Sequence, residues 1–205
     1  MSHRAHPGLN LGAAQGDAGS RTEKTVFGFW VFLMSDMITF GILFGHYVVM
    51  QRARAGGPGP ETLFDVRSVA LQTGLLLTSS FTYGLASLGL KHAGTARAVL
   101  PWLAVTAALG AGFLALELRD FASMASRGGV PQRSGYLSAL WVLVGLHGLH
   151  VTMGLFWMAV MAALIAVQGL TDRVKTRLLL LGLYWHFLDL IWIGILSVVF
   201  LGGMA

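Results

Sequence analysis

Long apolar stretches alternate with short polar ones along most of this chain. The apolar runs cover residues 26–50, 67–90, 98–121, 136–167 and 178–201. Each approaches or exceeds the ~20 residues that an α-helix needs to cross about 30 Å of hydrocarbon. The pattern predicts an all-α integral membrane protein, a bundle of five transmembrane helices. The fourth run is long enough to imply tilt or projection beyond the bilayer. The second is rich in Ser, Thr and Gly, which suits close packing and interhelical hydrogen bonds. Residues 1–25 are polar, small and Gly-rich, and they are expected to form a mobile tail. They lack the apolar core and cleavage site of a signal peptide, so the first span is expected to act as the insertion signal. The membrane domain is then residues 26–205.

Composition supports this picture. Of the 205 residues, 55% are hydrophobic and 11% charged, against about 25% charged in an ordinary soluble domain. There is no cysteine, which removes disulfides, thiolate metal sites and a cysteine nucleophile. The formal net charge is +5. In a soluble protein that balance would raise nucleic acid as a partner. Here the basic residues sit between apolar spans, so topology and anionic lipid headgroups account for them, and no nucleic-acid role is expected. Arg4, Arg21, Lys24, Lys91, Arg97, Arg173, Lys175 and Arg177 fall on one side of a five-span layout. Arg52, Arg54, Arg67, Arg119, Arg127 and Arg133 fall on the other. The mild bias places the N-terminus in the cytoplasm and the C-terminus outside.

Six polar groups lie at membrane depth: Asp36, Glu117, His147, His150, His186 and Asp189. An ionisable side chain there costs about 3 kcal/mol on insertion scales unless it faces protein or water. His147 and His150 are three residues apart, as are His186 and Asp189, so each pair shares a side of its helix. Helical rise puts Asp36 and His186 at similar depth, about 12–15 Å from the inner boundary, and Glu117 near the outer one. Asp36, His186 and Asp189 are therefore expected to form one interior network, with Glu117, His147 and His150 as a second cluster or the lining of a lipid cleft. Small residues, Gly41 with Gly45 and Gly145 with Gly148, are expected to allow close helix approach.

Other chemistries fit less well. A di-iron site needs Glu-x-x-His on paired helices, and neither His147 nor His150 follows that pattern. A transport route would use buried carboxylates and histidines, but five spans with no broken-helix pair are a poor frame for an autonomous transporter. Ser134 and Ser138 lack a nucleophile elbow. Trp141, Trp157, Trp185 and Trp192 fit packing or interface anchors better than a cofactor box. A structural polar network is the reading that the spacing favours.

Two segments carry a resemblance to a known family. Gly145–Val151 (GLHGLHV) and Trp185–Asp189 (WHFLD), followed by Trp192, resemble subunit III of the haem–copper oxidases. The likeness extends through Arg133–Ala159 and includes Phe27–Asp36 (FGFWVFLMSD), so it covers the chain from about residue 26 onward. The FGFW…LMSD start, the RSG before the fourth span and the five-span length are similar to the cytochrome o ubiquinol oxidase branch. Many cytochrome c oxidase relatives have Glu where this chain has Asp36.

The resemblance implies a five-helix bundle of the cytochrome oxidase subunit III type in the bacterial inner membrane. It implies a redox-inactive accessory subunit, with no cofactor of its own. Haem, copper and ubiquinol would be held by partner subunits. The expected partners are the catalytic subunit I, subunit II and a small subunit IV. Bound phospholipid, stabilisation of the catalytic subunit and support of proton uptake belong to the same expectation. The alternatives are an accessory subunit of a cytochrome c oxidase or nitric oxide reductase and, outside the family, an autonomous proton-coupled transporter.

Overall fold

The computed structural model describes residues 13–59, 63, 65–92 and 94–202. Among them all regular structure is helical. Five long helices run in chain order: α1 (Ala13–Met50), α2 (Val66–His92), α3 (Ala96–Ser126), α4 (Gly135–Gln168) and α5 (Asp172–Ile195). A 3₁₀ turn, Pro131–Arg133, precedes α4, and a π-helical segment, Leu196–Leu201, continues α5.

The loops supply the expected stops. Ser134 Oγ accepts from Leu137 N at 3.2 Å and opens α4. Thr171 caps α5 through Val174 N, with Asp172 in the first turn, where a negative charge complements the helix dipole. Gly128 adopts φ 78° and Gly169 φ 68°, and a left-handed residue that glycine takes without a Cβ clash ends a helix there.

Three boundaries differ from the sequence expectation, one of them the start of α5, which lies at Asp172 rather than 178 because Thr171 caps the helix there. Helix α1 reaches back to Ala13, into the segment expected to be a mobile tail. Ala13, Ala14 and Ala18 are strong helix formers, and no proline interrupts the run into the apolar span. Residues 1–12 lie outside the described residues. The third helix continues to Ser126 rather than 121, which carries Glu117, Arg119 and Asp120 inside the helix rather than at its end.

The expected count of five spans is met by four on length and composition. Segments Thr22–Met50, Ala96–Ser126, Gly135–Gln168 and Asp172–Leu201 are apolar enough to cross a membrane. Helix α2 has the length, but Ser68, Gln72, Thr73, Ser79, Ser80 and Thr82 dilute its apolar character.

Helix α5 is the centre of the bundle. In its apolar window 67% of residues are buried, against 11% for α1 and 28% each for α3 and α4. It packs on α1, α2 and α4, while the most extensive pairing elsewhere is α2 with α3. The side chains of α5 explain its place. Trp185 is 1% exposed and its indole lies in a slot made by Gly110 of α3 and Gly154 of α4, where an added Cβ would come within 2.8 Å of the ring at either glycine. Its Nε1 donates to Ser79 Oγ of α2 at 3.0 Å. One tryptophan thus joins four helices. Trp192 donates to Thr73 Oγ1 at 3.1 Å and meets Phe113 of α3 edge-on at 4.7 Å. Tyr83 of α2 reaches across Gly182 to donate to Leu178 O of α5 at 2.6 Å. Each ring contributes packing area and spends its one polar atom on another helix, as buried Trp and Tyr generally do.

Candidate functional site

The polar groups at membrane depth fall into three places, grouped differently from the sequence expectation. In the first, Asp36 of α1 faces His150 of α4, with Oδ2 3.6 Å from Nε2 and each side chain about one-fifth exposed. The ring is held from several sides. Nδ1 donates to Leu146 O at 2.8 Å, Phe40 meets the ring at 5.3 Å, and Tyr184 of α5 stacks at 6.5 Å. Tyr184 Oη donates to His150 O at 2.9 Å. With Nδ1 committed as a donor, Nε2 is the ring nitrogen turned toward the carboxylate, and the two stand just beyond hydrogen-bond distance. Asp36 was expected to join His186 and Asp189. Instead its carboxylate points from α1 to α4, because Phe40, Tyr47 and Leu33 set that face of α1 inward.

The second place is the α3–α4 contact. Glu117 is 3% exposed and lies against Gly148, where a Cβ would stand 2.6 Å from Oε2. His147 is fully buried between Phe113, 5.8 Å away, and Trp192, 5.4 Å away. Neither Glu117 nor His147 makes a side-chain hydrogen bond among the described residues. Glu117 borders a cavity that Gln72, Asp120 and Val69 also line. Asp120, one turn further along α3, is held through one oxygen: Oδ2 accepts from Ser68 Oγ at 2.6 Å and from Gln72 Nε2 at 2.7 Å. This clamp between α2 and α3 was missed at the sequence level. Its signal was the i,i+4 pair Ser68 and Gln72 on one helix and the acidic i,i+3 pair Glu117 and Asp120 on the next.

The third place is on α5. His186 was expected to lie in the interior beside Asp189, but it is exposed, while Asp189 is 7% exposed. Residues three apart differ by about 60° around a helix, which is enough for one to face in and the other out. Trp185, Leu188 and Trp192 fix the inward face, so His186 turns outward. Its Nδ1 lies 2.5 Å from Ser80 Oγ of α2, and Tyr83 meets the ring edge-on at 6.0 Å. The Ser80 hydroxyl also faces the Asp189 carboxylate without completing a hydrogen bond to it.

The four glycines singled out from the sequence divide in two. Gly148 makes a close approach and Gly145 a loose one, 4.0 Å from Phe121, whereas Gly41 and Gly45 meet nothing within 4 Å. Within the helices the other contacts under 3.0 Å are at Gly89, Gly110, Gly154, Gly182 and Gly194. The Gly41–Gly45 pair lies on an outward face of α1, so the close approach expected there is not made within this chain. Among the described residues no group of three or more His, Asp or Glu side chains is placed to hold a metal ion.

The family described as Cytochrome c oxidase subunit III matches residues 12–204. The chain is 48% identical over 182 residues to the cytochrome bo(3) ubiquinol oxidase subunit 3 of Pseudomonas putida, covering 89% of this chain and 87% of that protein. It is 37% identical to the quinol oxidase subunit 3 of Bacillus subtilis, over 100% of this chain and 99% of that one. It is 39% identical to the cytochrome c oxidase subunit 3 of the same organism, over 89% and 88%. An all-helical bundle with buried polar pairs, matched to one family over nearly its whole length, belongs to the cytochrome c oxidase subunit III family.

Proposed function

We propose that this chain is an accessory, non-catalytic subunit of a terminal ubiquinol oxidase, whose partners couple quinol oxidation and oxygen reduction to proton translocation. The observation that carries the reading is the near-full-length identity of 48% to a ubiquinol oxidase subunit 3, against 39% to a cytochrome c oxidase subunit 3. In this reading the haem, copper and quinol sites lie on subunits I and II, with a small subunit IV completing the complex. The chain supplies a rigid membrane bundle. The facing pair Asp36–His150 and the buried Glu117 are the ionisable groups through which it would act beside proton uptake.

Bound phospholipid is part of the same proposal. An apolar groove lined by Phe32, Leu149, His150, Met153, Trp157 and Tyr184 opens beside Asp36, and an acyl chain fits that lining.

The reading also takes α2 as a fifth span. Several of the polar side chains that lower its apolar character are turned inward and bonded. Ser68 and Gln72 hold Asp120, Thr73 and Ser79 accept from the tryptophans of α5, and Thr82 meets Thr106 at 2.8 Å. Its connection to α3 is short and the two pack along their length, so α2 shares the depth of a helix that crosses. With the N-terminus cytoplasmic, the loops at residues 51–59 and 94–95 then lie on opposite faces of the inner membrane. Arg54→Cys and Thr95→Cys, each labelled with an impermeant thiol reagent in intact cells, are expected to differ: the first reacts and the second is protected until the membrane is opened. Equal reactivity would remove α2 from the span count.

The accessory role is tested by mild-detergent affinity purification from native membranes, with a visible spectrum of the product. Larger haem-bearing chains are expected to co-purify in constant ratio. A chain that purifies alone and colourless, under conditions that keep other respiratory complexes whole, would remove the reading.

A further inference from the structure

The buried face of α5 accounts for its aromatic residues, but its other face carries a second pattern that the bundle does not use. Leu179, Leu183, His186, Leu190, Ile193 and Ser197 follow one another at spacings of four, three, four, three and four residues. That is the seam spacing with which one helix receives another at a shallow crossing angle. All six are exposed or half-buried in the chain itself. Leu190 is 54% and Ile193 43% exposed. The seam lies along the most enclosed helix of the bundle, flanked by α2 through the Ser80–His186 contact and by α1 through Phe44, which packs on Gly194. The outward Gly41 sits one turn before Phe44 and Gly45 beside it, so the α1 flank is cut low where a neighbour would pass.

Lipid is a poor occupant for this valley. His186 stands about 21 Å along its helix by helical rise, near mid-membrane, and an ionisable ring exposed to hydrocarbon there is strongly disfavoured. Ser80 satisfies only Nδ1. The ring's other nitrogen, Nε2, makes no hydrogen bond among the described residues and needs a partner at that depth. A single polar residue in an otherwise apolar seam fixes the register of the helix that pairs with it. We infer that the outer seam of α5 seats a transmembrane helix of the catalytic partner subunit, which presents a polar side chain to His186 Nε2. The inference rests on the accessory-subunit reading and adds which surface is covered and what holds it in register.

The absence of native cysteine makes the test clean. Single variants Leu190→Cys and Ile193→Cys on the seam, and Leu118→Cys and Met153→Cys on the outer faces of α3 and α4, are each labelled with a thiol-linked photo-crosslinker in the purified full complex. The expected result is adducts of the two seam variants with one larger subunit, and none from Leu118→Cys or Met153→Cys. Intact complex with adducts from α3 or α4 and a silent seam overturns the inference while leaving the accessory role standing. So do seam adducts of twice this chain's mass, which point to a second copy, or adducts with lipid alone. Failure of any complex to form overturns the accessory role and the inference with it. Separately, His186→Leu is expected to lower retention in the washed complex about fivefold, the factor carried by an ordinary polar contact between membrane helices, with His186→Asn retained better. Equal retention of the leucine variant and the parent removes His186 as the register point.

Discussion

Trp185→Ala is expected to destabilise the bundle by about 3 kcal/mol, measured as the shift in a reversible unfolding titration in mixed micelles. That figure is the low end of the ~3–5 kcal/mol seen for removing a large aromatic from a soluble core. The low end applies because lipid tails compete for apolar surface as water does not, leaving lost dispersion contacts and the cavity as the main terms. The site cannot collapse easily. Gly110 and Gly154 form its walls, and both are backbone on helices that other contacts fix. The Ser79 hydroxyl also loses its indole donor. Trp185→Phe keeps most of the ring and loses that bond, so its cost is expected at about 1 kcal/mol or less. An alanine variant as stable as the parent would mean that the tryptophan slot does not organise the four helices around it.

Gly182→Ala has the next largest effect, about 1–3 kcal/mol by overpacking. Its added Cβ would lie 2.7 Å from Cε1 of Tyr83, and that ring cannot swing away while its hydroxyl holds Leu178 O. The contrast is with Gly41→Ala and Gly45→Ala. Nothing stands within 4 Å of either position, and alanine is the better helix former by about 1 kcal/mol. The isolated chain is therefore expected to tolerate both, or to gain slightly. Gly148→Ala belongs with the mild group, because the atoms it meets are the carboxylate end of Glu117, which borders a cavity and has room to move. The same unfolding titration ranks all four. A Gly41→Ala loss larger than that of Gly182→Ala would contradict the packing described for α1 and α5.

These comparisons also show how far the sequence could be read. Helix positions were legible because a run long enough to cross hydrocarbon is hard to mistake; α2 and α4 fall within two residues of their expected limits. The family was legible because GLHGLHV and WHFLD combine ionisable residues with membrane depth, a rare and costly pairing. What could not be read was which polar group meets which. Depth along a helix follows from residue count, but rotation about its axis depends on which face neighbouring helices cover. That is why Asp36 could be given a position along its helix but not its neighbour across the bundle, His150. His186 and Asp189 share a side in the coarse sense of i,i+3 spacing, yet Trp185 and Trp192 rotate one outward and the other in. The glycines failed for the same reason. A GxxxG pair marks a surface able to pack closely, and only the fold tells whether this chain or another supplies the neighbour. The low apolar content of α2 likewise became intelligible only when Ser68, Gln72, Thr73 and Ser79 were seen bonded to α3 and α5.

The central claim is that this bundle serves a quinol-driven oxidase. Its most direct test is oxygen consumption by the complex purified through this chain, measured side by side with ubiquinol and with reduced cytochrome c as donors. The account predicts inhibitor-sensitive oxygen uptake with ubiquinol and none above background with cytochrome c. Uptake driven by cytochrome c alone would keep the family and contradict the assignment to a quinol oxidase; no uptake with either donor from an intact haem-bearing complex would contradict the role altogether.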